Sequence, residues 1–329
     1  MVTPVRRDAA VDITISSQLQ AALDQLLADD ELGRAQTRAP IVLHNGRLVA
    51  ESYGPGITSD TQLHGWSMGK SVTAMLVGRL HTLGRLPARD DSLFPQWADD
   101  KRANIRLEHL LTMSSGLSFD ETYAPGSDAT RMLFLDHSTV TAPMAGQIEQ
   151  QPGAHFSYSS GTTNLIMQHL RQTLGGSQAL LDVWNENLRQ PLGLADTTFE
   201  PDPDGLLVGS SYIYASGRDW ARLGQLMLQR GQWAGSTLID ADWIDAATAS
   251  NSSTNERAYG YQFWLNRGDQ TLRWPSIPED ADAMQGNRAQ VVMIVPSRQT
   301  VLVRLGWTAG EYDFAKRFSA LLERLPTNG

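Results

Sequence analysis

A serine and a lysine three residues apart are the side chains of this sequence best suited to covalent chemistry. The stretch HGWSMGKSVTAML, residues 64–76, contains three overlapping patterns. Residues 65–69 read G-x-S-x-G, residues 69–71 read G-K-S, and Ser67 to Lys70 read S-x-x-K. The first pattern implies a nucleophilic serine with a histidine as its base, and the second implies a phosphate-binding loop. The third implies a nucleophilic serine with a lysine as its base.

The first two patterns lack the context that they need. A phosphate-binding P-loop requires glycine where His64 stands, and it follows a buried strand, whereas the polar run SDTQLH precedes this motif. The serine of an α/β-hydrolase elbow follows a parallel strand, and its histidine comes later in the chain. No strand pattern precedes Ser67, and the last histidine is His169, so both interpretations are disfavoured.

The S-x-x-K pattern has a direct physical rationale. At the start of a helix, residues i and i+3 share one face, so Ser67 Oγ and Lys70 Nζ can meet. A serine hydroxyl is a weak nucleophile until a base takes its proton. A lysine can be that base if burial and neighbouring positive charge lower its pKa. The free N–H groups at the helix start add partial positive charge, and the Ser67 N–H can form half of an oxyanion hole.

The motif by itself does not decide between this chemistry and coincidence, because S-x-x-K is a loose pattern. The chain holds three lysines, Lys70, Lys101 and Lys316, against an excess of arginine. Arginine could not serve as the base, because its pKa stays above about 12. A lysine placed three residues after a serine, at the start of a strong helical pattern, therefore favours the catalytic interpretation.

Composition excludes several other classes of function. The 329 residues carry a formal net charge of −9, which disfavours nucleic acid and anionic membranes as partners. The absence of cysteine excludes thiol catalysis, disulfides and Cys-ligated zinc. No apolar run approaches the roughly 20 residues that span a bilayer. Because no apolar segment follows the two arginines near the start, we expect a cytoplasmic protein; a removed leader or anchor would make it periplasmic.

Strand patterns occur at both ends of the chain, and helical patterns fill the middle. Residues 17–30 predict a helix, and residues 41–54 predict a hairpin around Asn45-Gly46. Helical stripes ending mostly at glycine follow in SVTAMLVGRLHTLG, RLEHLLTMSSG, TTNLIMQHLRQTLGG and DWARLGQLMLQRG. Residues 258–266 predict a strand, residues 289–307 two strands joined by a turn, and residues 311–325 a helix.

This order predicts an α+β protein of two lobes. Strands from both chain ends most simply share one antiparallel sheet flanked by the terminal helices. We expect residues 1–66 and 255–329 to form this lobe and residues 67–254 to form a mostly helical lobe. The active site would then lie in the cleft between them.

Several spaced segments carry a resemblance to a known family. They are GWSMGKSVTAMLVG, IRLEHLLTMSSGLSFDE, HFSYSSGTTNLI, GSSYIYASGRDWARLGQLML and QVVMIVPSRQTVLVRLG. In this order they resemble serine β-lactamase-like hydrolases related to class C β-lactamases and D-alanyl-D-alanine carboxypeptidases. The similarity is greatest to 6-aminohexanoate-oligomer hydrolases and the carboxylesterases of this fold. The resemblance implies a β-lactamase/transpeptidase-like α/β fold with a helical insert.

The family's second motif is a tyrosine in Tyr-x-Asn or Tyr-Ser-x, and Tyr158-Ser159-Ser160 matches it. The resemblance implies that Tyr158 moves a proton between Ser67, Lys70 and the leaving group, with a pKa that a nearby cationic lysine lowers. Without the resemblance, Tyr158 would be interpreted as a loop tyrosine beside the next helix. Ser160 stands where relatives carry asparagine and is a candidate substrate-binding residue.

The third motif, a strand with Lys-Thr-Gly or His-x-Gly, is matched by Met284-Gln285-Gly286. The resemblance implies that Gly286 lets substrate lie against this strand and that the N–H of Asn287 joins that of Ser67 in the oxyanion hole. The strand cation that holds a substrate carboxylate in β-lactamases is missing here; Arg288 or Arg273 could substitute for it, but neither is a close match. Amides and esters are therefore favoured over β-lactams.

The resemblance also points to Tyr123, in the loop DETYAPGSD, as a contact of the scissile bond, while Ser211 and Tyr212 are further substrate-binding candidates. Without the resemblance, the interpretation of each as an ordinary loop residue is favoured. We expect a serine hydrolase of small linear amides or esters with the set Ser67, Lys70 and Tyr158, and with no metal or organic cofactor. The sequence is compatible with a homodimer. The alternatives are a β-lactamase or D-alanyl-D-alanine carboxypeptidase-like enzyme, and a non-catalytic ligand-binding protein.

Overall fold

The computed structural model describes residues 12–86 and 93–326. The strands are β1 (Asp12–Ile13), β2 (Thr37–His44), β3 (Arg47–Glu51), β4 (Leu63–His64), β5 (Thr197–Phe199), β6 (Ile213–Ala215), β7 (Gln232–Trp233), β8 (Ser236–Thr237), β9 (Trp264–Leu265), β10 (Asp282–Gly286), β11 (Gln290–Val295) and β12 (Thr300–Gly306). The α-helices are α1 (Ser17–Leu32), α2 (Met68–Thr82), α3 (Leu107–Leu111), α4 (Asp128–Phe134), α5 (Thr141–Ala145), α6 (Ser160–Leu174), α7 (Ser177–Trp184), α8 (Gly217–Leu228), α9 (Ala241–Ala247) and α10 (Phe314–Leu322).

A seven-stranded sheet combines strands from both ends of the chain. Its order is β1-β3-β2-β12-β11-β10-β9, with β1 parallel to β3 and the other pairs antiparallel. The predicted turn between β2 and β3 is confirmed: Asn45 and Gly46 take φ values of 50° and 74°. Two successive positive φ angles match the right-handed twist of a hairpin, which is why Asn-Gly is favoured there.

Both faces of the sheet are covered by helices. On one face, Leu19 and Leu23 of α1 and Phe318 of α10 pack with Val291 and Met293 of β11. On the other face, residues of α2 and α8 share a core with the alternate side chains of the same strands. The central strands are therefore buried on both sides, which explains the continuous apolar run QVVMIV of β11.

Helix α2 is the element that joins the sheet to the remaining helices. It packs against β10 and β11 on one side and against α6 on another. Twelve of its fifteen residues are buried, including Lys70 and Ser71. Such a helix has a fixed position relative to the sheet, so the residue at its start is held rigidly.

Two of the sequence-based expectations for local structure were wrong in extent. In 258–266 the strand is limited to Trp264–Leu265, with one isolated bridge from Tyr259 to Trp264. Its aromatic residues are buried because they fill the core: Tyr259 and Phe263 are almost inaccessible. The helix expected in RLEHLLTMSSG is a five-residue turn, Leu107–Leu111.

The predicted lobe boundaries stay a prediction, and residues 1–11 and 327–329 of the first lobe lie outside the described residues. The expectation about a leader also falls on residues outside the description. Within residues 12–86 and 93–326, no helix is long and apolar enough to cross a bilayer.

Candidate active site

Ser67 stands immediately before helix α2, on a sharply turned backbone. The preceding residue, Trp66, has a φ of 50°, a conformation that is strained for a bulky side chain. Its indole is stacked on His64 with ring centroids 3.9 Å apart, and His64 is stacked in turn on Tyr214 at 4.5 Å. The aromatic stack therefore holds the turn that presents Ser67.

Lys70 is the fully buried third residue of α2, one turn after Ser67, and has three polar partners. Its Nζ donates to Ser67 Oγ at 3.0 Å, to Ser160 Oγ at 2.9 Å and to the carbonyl of Ser210 at 3.2 Å. The carbonyl comes from residues 209–211, which pack tightly on the helix. A Cβ on Gly69 would lie 2.7 Å from the carbonyl oxygen of Gly209, so this approach requires glycine.

These partners suit the neutral amine as well as the ammonium. Ser160 Oγ gives its own hydrogen to Glu121 Oε1 at 2.6 Å, so toward Lys70 it acts as an acceptor. The carbonyl of Ser210 can accept but not donate. A neutral Lys70 would use its two N–H groups on these two acceptors. Its lone pair would then face Ser67 Oγ, in position to take the hydroxyl proton.

Burial lowers the pKa of Lys70 to about 8, and the negative charge of Glu121 opposes this fall. The sequence-based expectation named burial together with neighbouring positive charge. Burial is the cause that acts here, and the charge that acts on Lys70 is negative. A lysine with this pKa is partly neutral at pH 7, as a general base requires.

Tyr158 presents its ring to the same amine. Lys70 Nζ lies 4.9 Å from the ring centroid, and the phenol lies within interaction range of the Ser67 hydroxyl. Burial raises the pKa of Tyr158 well above 10, and the interaction with Ser67 offsets this only in part. The expectation that a cationic lysine lowers this pKa was wrong, because desolvation of the phenolate is the larger effect. Tyr158 is therefore a protonated phenol at neutral pH.

The structure brings five predicted site residues to one cleft. Ser67, Tyr123, Tyr158, Gly286 and Asn287 line a cavity of about 370 Å³. Its remaining walls are Glu121, Trp264, Gln285, Gln290 and Phe314. A cavity of about 650 Å³ lies elsewhere, between α1 and α10, but Ser67 and Lys70 are not part of its lining, so size alone does not locate the chemistry.

Gly286, at the end of β10, lies directly against the segment that precedes Ser67. A Cβ at this position would lie 2.1 Å from the carbonyl oxygen of Gly65, so no other residue fits without moving the backbone. This close approach brings the next residue, Asn287, into the wall of the cleft that holds Ser67. The side chain of Asn287 is exposed and accepts a hydrogen bond from the Arg288 N–H at 2.8 Å.

Comparison with known proteins shows the family and the fold of the chain. The family model described as "Beta-lactamase" matches residues 23–322. The chain belongs to the beta-lactamase family. A 6-aminohexanoate-dimer hydrolase of Paenarthrobacter ureafaciens is 22% identical over 318 residues, which cover 91% of this chain and 80% of that protein.

Solved structures show the same beta-lactamase fold. A Bacillus anthracis protein described as a 6-aminohexanoate-dimer hydrolase gives a TM-score of 0.77 at 20% identity, covering 98% of this chain and 91% of its own. A family VIII carboxylesterase gives 0.73 at 15% identity, covering 95% and 99%. A class C beta-lactamase gives 0.71 at 16% identity, covering 95% and 98%.

Within this beta-lactamase fold, Ser160 lies behind the catalytic candidates rather than in the cleft wall. It is the first residue of α6, whose cap is Ser159. Its Oγ connects Lys70 to Glu121, and its backbone N–H donates to Glu121 Oε2 at 2.6 Å. Ser160 is completely buried, so the structure favours a bridging role over the predicted contact with substrate.

Glu121 is a residue of the site that sequence reasoning missed. It is two positions before Tyr123 in a loop 54 residues after Ser67. No motif spacing identifies it, because its role depends on the contact between this loop and the start of α6. The one signal of a functional role in the sequence was the position of this acidic residue, two residues before Tyr123 in DETY.

Two other candidates lie away from the cleft lining. Ser211 is completely buried; its Oγ is 3.1 Å from Ser210 Oγ, and its carbonyl oxygen is 2.7 Å from His64 Nε2. Tyr212 donates its hydroxyl to the carbonyl of Leu133. These contacts support the segment before Ser67 and the end of α4, so we do not retain either residue as a substrate contact. Tyr123 is 47% exposed at the cleft, as a substrate contact would be.

No group of three or more His, Cys, Asp or Glu side chains is placed to hold a metal ion within the described part of the chain.

Proposed function

We propose that this beta-lactamase-fold protein is a serine hydrolase that cleaves amide or ester bonds of small linear substrates through an acyl-enzyme. Ser67 is the nucleophile, Lys70 the general base and Tyr158 the general acid. The observation that carries the proposal is the placement of Lys70 Nζ between Ser67 Oγ and two acceptors. Lys70 Nζ is a buried amine with a lowered pKa. In the neutral form its lone pair would point at the Ser67 hydroxyl.

In the first step Ser67 Oγ attacks the carbonyl carbon of the substrate while its proton passes to Lys70. The carbonyl oxygen becomes an oxyanion, and the N–H groups of Ser67 and Asn287 stabilise it. Ser67 lies at the start of α2, where N–H groups have no partner within the helix. Donors of this kind typically contribute about 10²–10³ in rate each.

Collapse of the tetrahedral intermediate breaks the bond to the leaving group. Tyr158 protonates the leaving amine or alcohol and recovers a proton from Lys70. A water molecule then attacks the acyl carbon by the same route in reverse, and Ser67 regains its hydrogen. Because burial keeps Tyr158 protonated, it enters the cycle as a donor.

Glu121 acts through Ser160 in this scheme. The Glu121 carboxylate accepts the hydrogen of the Ser160 hydroxyl. The Ser160 oxygen is therefore free to accept a hydrogen bond from Lys70. Its charge also raises the pKa of Lys70 and so opposes the effect of burial. Glu121 is thus a positioning residue that orients the base and sets its protonation.

The lining of the cleft supports small substrates with an extended apolar part. Tyr123, Tyr158, Trp264 and Phe314 contribute aromatic surface to a cavity of about 370 Å³. Related proteins bear the names 6-aminohexanoate-dimer hydrolase and carboxylesterase, which denote linear amides and esters.

A fluorophosphonate probe followed by intact-mass analysis tests the proposal. We expect one adduct on the wild-type protein and none on Ser67→Ala, with turnover of p-nitrophenyl butyrate lost in the same variant. Ser71→Ala is the matched control, because Ser71 is buried on the same helix and donates to the carbonyl of Gln262. That variant should keep both adduct and turnover.

Equal labelling and turnover in Ser67→Ala would refute the assignment of the nucleophile. A wild-type protein that forms no adduct and cleaves no ester would support a ligand-binding protein instead.

A further inference from the structure

His64 links the segment that presents Ser67 to a second turn, which residues 208–212 form. Its Nε2 lies 2.7 Å from the carbonyl oxygen of Ser211. A carbonyl oxygen only accepts hydrogen bonds, so Nε2 carries the hydrogen of the ring. Burial lowers the pKa of His64, and the bond to Ser211 opposes this fall. The ring is therefore neutral at pH 7, and it donates its one N–H to the second turn.

The same turn supplies an acceptor to the candidate base. The carbonyl of Ser210 accepts from Lys70 Nζ at 3.2 Å, and the carbonyl of the next residue accepts from His64. His64 and Lys70 stand three residues before and three residues after Ser67. Two consecutive carbonyl groups therefore bind the two side chains that flank the nucleophile in the sequence.

The second turn is compact and internally bonded, so its carbonyl groups do not move separately. The N–H groups of Ser211 and Tyr212 both donate to the carbonyl of Val208, at 3.2 and 3.0 Å. Val208, Ser210 and Ser211 are completely buried. The N–H of Ser210 donates to Asn164 Oδ1 of α6 at 3.1 Å. A shift of the Ser211 carbonyl would therefore also shift the carbonyl of Ser210.

The ring of His64 makes two separate contributions, a flat surface and a hydrogen-bond donor. It is stacked on Trp66 at 3.9 Å and on Tyr214 at 4.5 Å, with interplanar angles of 29° and 20°. A phenylalanine ring could provide that surface. The donor is what phenylalanine lacks, and it is directed at the turn that binds Lys70.

We propose that His64 is a positioning residue for Lys70. Its hydrogen bond to Ser211 holds the neighbouring Ser210 carbonyl in place against the amine. With this acceptor fixed, one N–H of a neutral Lys70 is committed to it, and the lone pair keeps its direction toward Ser67 Oγ. Without it, the amine is free to rotate away from the nucleophile. The inference rests on the proposed function and adds a positioning residue to the same site.

Two substitutions at His64 separate the donor from the stack. His64→Phe keeps a flat ring and removes the donor, whereas His64→Gln keeps an N–H donor on a side chain of similar reach and removes the ring. His64→Phe should lower kcat for p-nitrophenyl butyrate about tenfold to a hundredfold and leave KM unchanged, because a misplaced base slows the chemical step and not binding. His64→Gln should keep a kcat closer to that of the wild type.

His81→Phe is the matched control, because His81 is an exposed histidine in the last turn of α2. This variant should leave both kcat and KM unchanged. A normal kcat in His64→Phe, or a larger loss in His64→Gln than in His64→Phe, would overturn the inference and leave the stack as the contribution of His64.

Titration of Lys70 followed by NMR makes the test independent of turnover. Loss of a well-placed acceptor disfavours the ammonium, so Lys70 should titrate at a lower pH in His64→Phe than in the wild type, and His64→Gln should restore the wild-type value. The resonances of Lys101 and Lys316 serve in the same spectra as a check that the fold is retained. Equal titration of Lys70 in His64→Phe and the wild type would refute the role of His64 whether or not the protein is a hydrolase. Failure of the proposed function would appear separately, as absence of a fluorophosphonate adduct on the wild-type protein.

Discussion

Lys70 and Arg304 are both completely buried cations, and the protein surrounds them differently. Lys70 has two hydroxyls and one carbonyl as partners. Arg304 donates to Thr37 Oγ1 at 2.9 Å, to the carbonyl of Ala289 at 2.7 Å and to that of Ala35 at 2.8 Å. Its guanidinium carbon also lies 4.0 Å from the ring centroid of Tyr312.

The hydrogen-bond network around Arg304 extends to the buried carboxylate of Asp30. Thr37 Oγ1 donates to Asp30 Oδ2 at 2.5 Å, and the Tyr312 hydroxyl donates to the same oxygen at 2.7 Å. Arg317 forms an ion pair with Asp30 Oδ1 at 2.8 Å. The charge of Arg304 is therefore neutralised by a network, whereas around Lys70 the carboxylate of Glu121 is reached through Ser160.

The comparison distinguishes Arg304, a cation with a structural role, from Lys70, the chemical cation of the proposed reaction. Arginine cannot lose its proton at accessible pH, so Arg304 serves as a permanent donor to the backbone. Two carbonyls that it binds, those of Arg288 and Ala289, belong to the turn that carries Asn287. Lys70 is compensated less completely, and burial brings its pKa to about 8. Arg304 thus supports the wall of the cleft, whereas in the proposed mechanism Lys70 gives up its charge during the reaction.

Replacing the base gives the largest expected effect. Lys70→Arg keeps the positive charge but cannot accept the proton of Ser67, so kcat/KM for p-nitrophenyl butyrate should fall about 10³-fold or more. Lys101→Arg is the matched control and should have the activity of the wild type. Activity of Lys70→Arg within tenfold of the wild type would contradict the assignment of Lys70 as the base.

Removing the structural cation should destabilise the protein. Arg304→Met leaves the carbonyls of Ala35 and Ala289 without this donor and removes a positive charge near the buried carboxylate of Asp30, so the free energy of unfolding should fall by about 3–5 kcal/mol. Guanidinium chloride titration measures this change. Arg324→Met, at an exposed arginine of the C-terminal region, should change stability by less than about 0.5 kcal/mol. A loss below about 1 kcal/mol for Arg304→Met would remove the distinction between the two cations.

Replacing Lys70, the chemical cation, should change the free energy of unfolding in the opposite direction. The pKa of Lys70 is about 8 in the folded protein and about 10.4 in an unfolded chain, so below pH 8 burial of the charge opposes folding. Lys70→Met should stabilise the protein at pH 7 by up to about 3 kcal/mol. The gain should shrink as the pH rises through 8 to 10.4, where the native wild type has already lost its proton. A gain that grew with pH would contradict this linkage.

A smaller effect is expected from the carboxylate behind the base. Glu121→Gln removes a negative charge that raises the pKa of Lys70, so the acid limb of the pH profile of kcat/KM should move down by about one pH unit. Glu121→Asp keeps the charge and should retain the wild-type limb. An unchanged or raised limb in Glu121→Gln would show that Glu121 does not act on the base.

Local signals predicted the elements that carry the site better than the contacts that complete it. The hairpin at Asn45-Gly46 and the helix after Ser67 depend on neighbouring residues, so their sequences contain the information. Glu121 and Arg304 act across distances of 39 and 267 residues along the chain, on Ser160 and Thr37. No periodicity predicts such contacts, because they depend on how the elements pack.

Electrostatic expectations failed for a related reason. The sequence places Tyr158 near a cation, and that alone suggests a lowered pKa. The structure adds complete burial, whose cost for a phenolate is larger than the benefit of a nearby charge.

The most direct test of the central claim is the titration of Lys70 itself by NMR. The protein has three lysines, so their side-chain ¹³Cε and ¹⁵Nζ resonances can be assigned with Lys101→Arg and Lys316→Arg. We predict that the Lys70 resonance titrates near pH 8. Titration of the Lys70 resonance above pH 10 would show that Lys70 keeps its proton at neutral pH and cannot be the base.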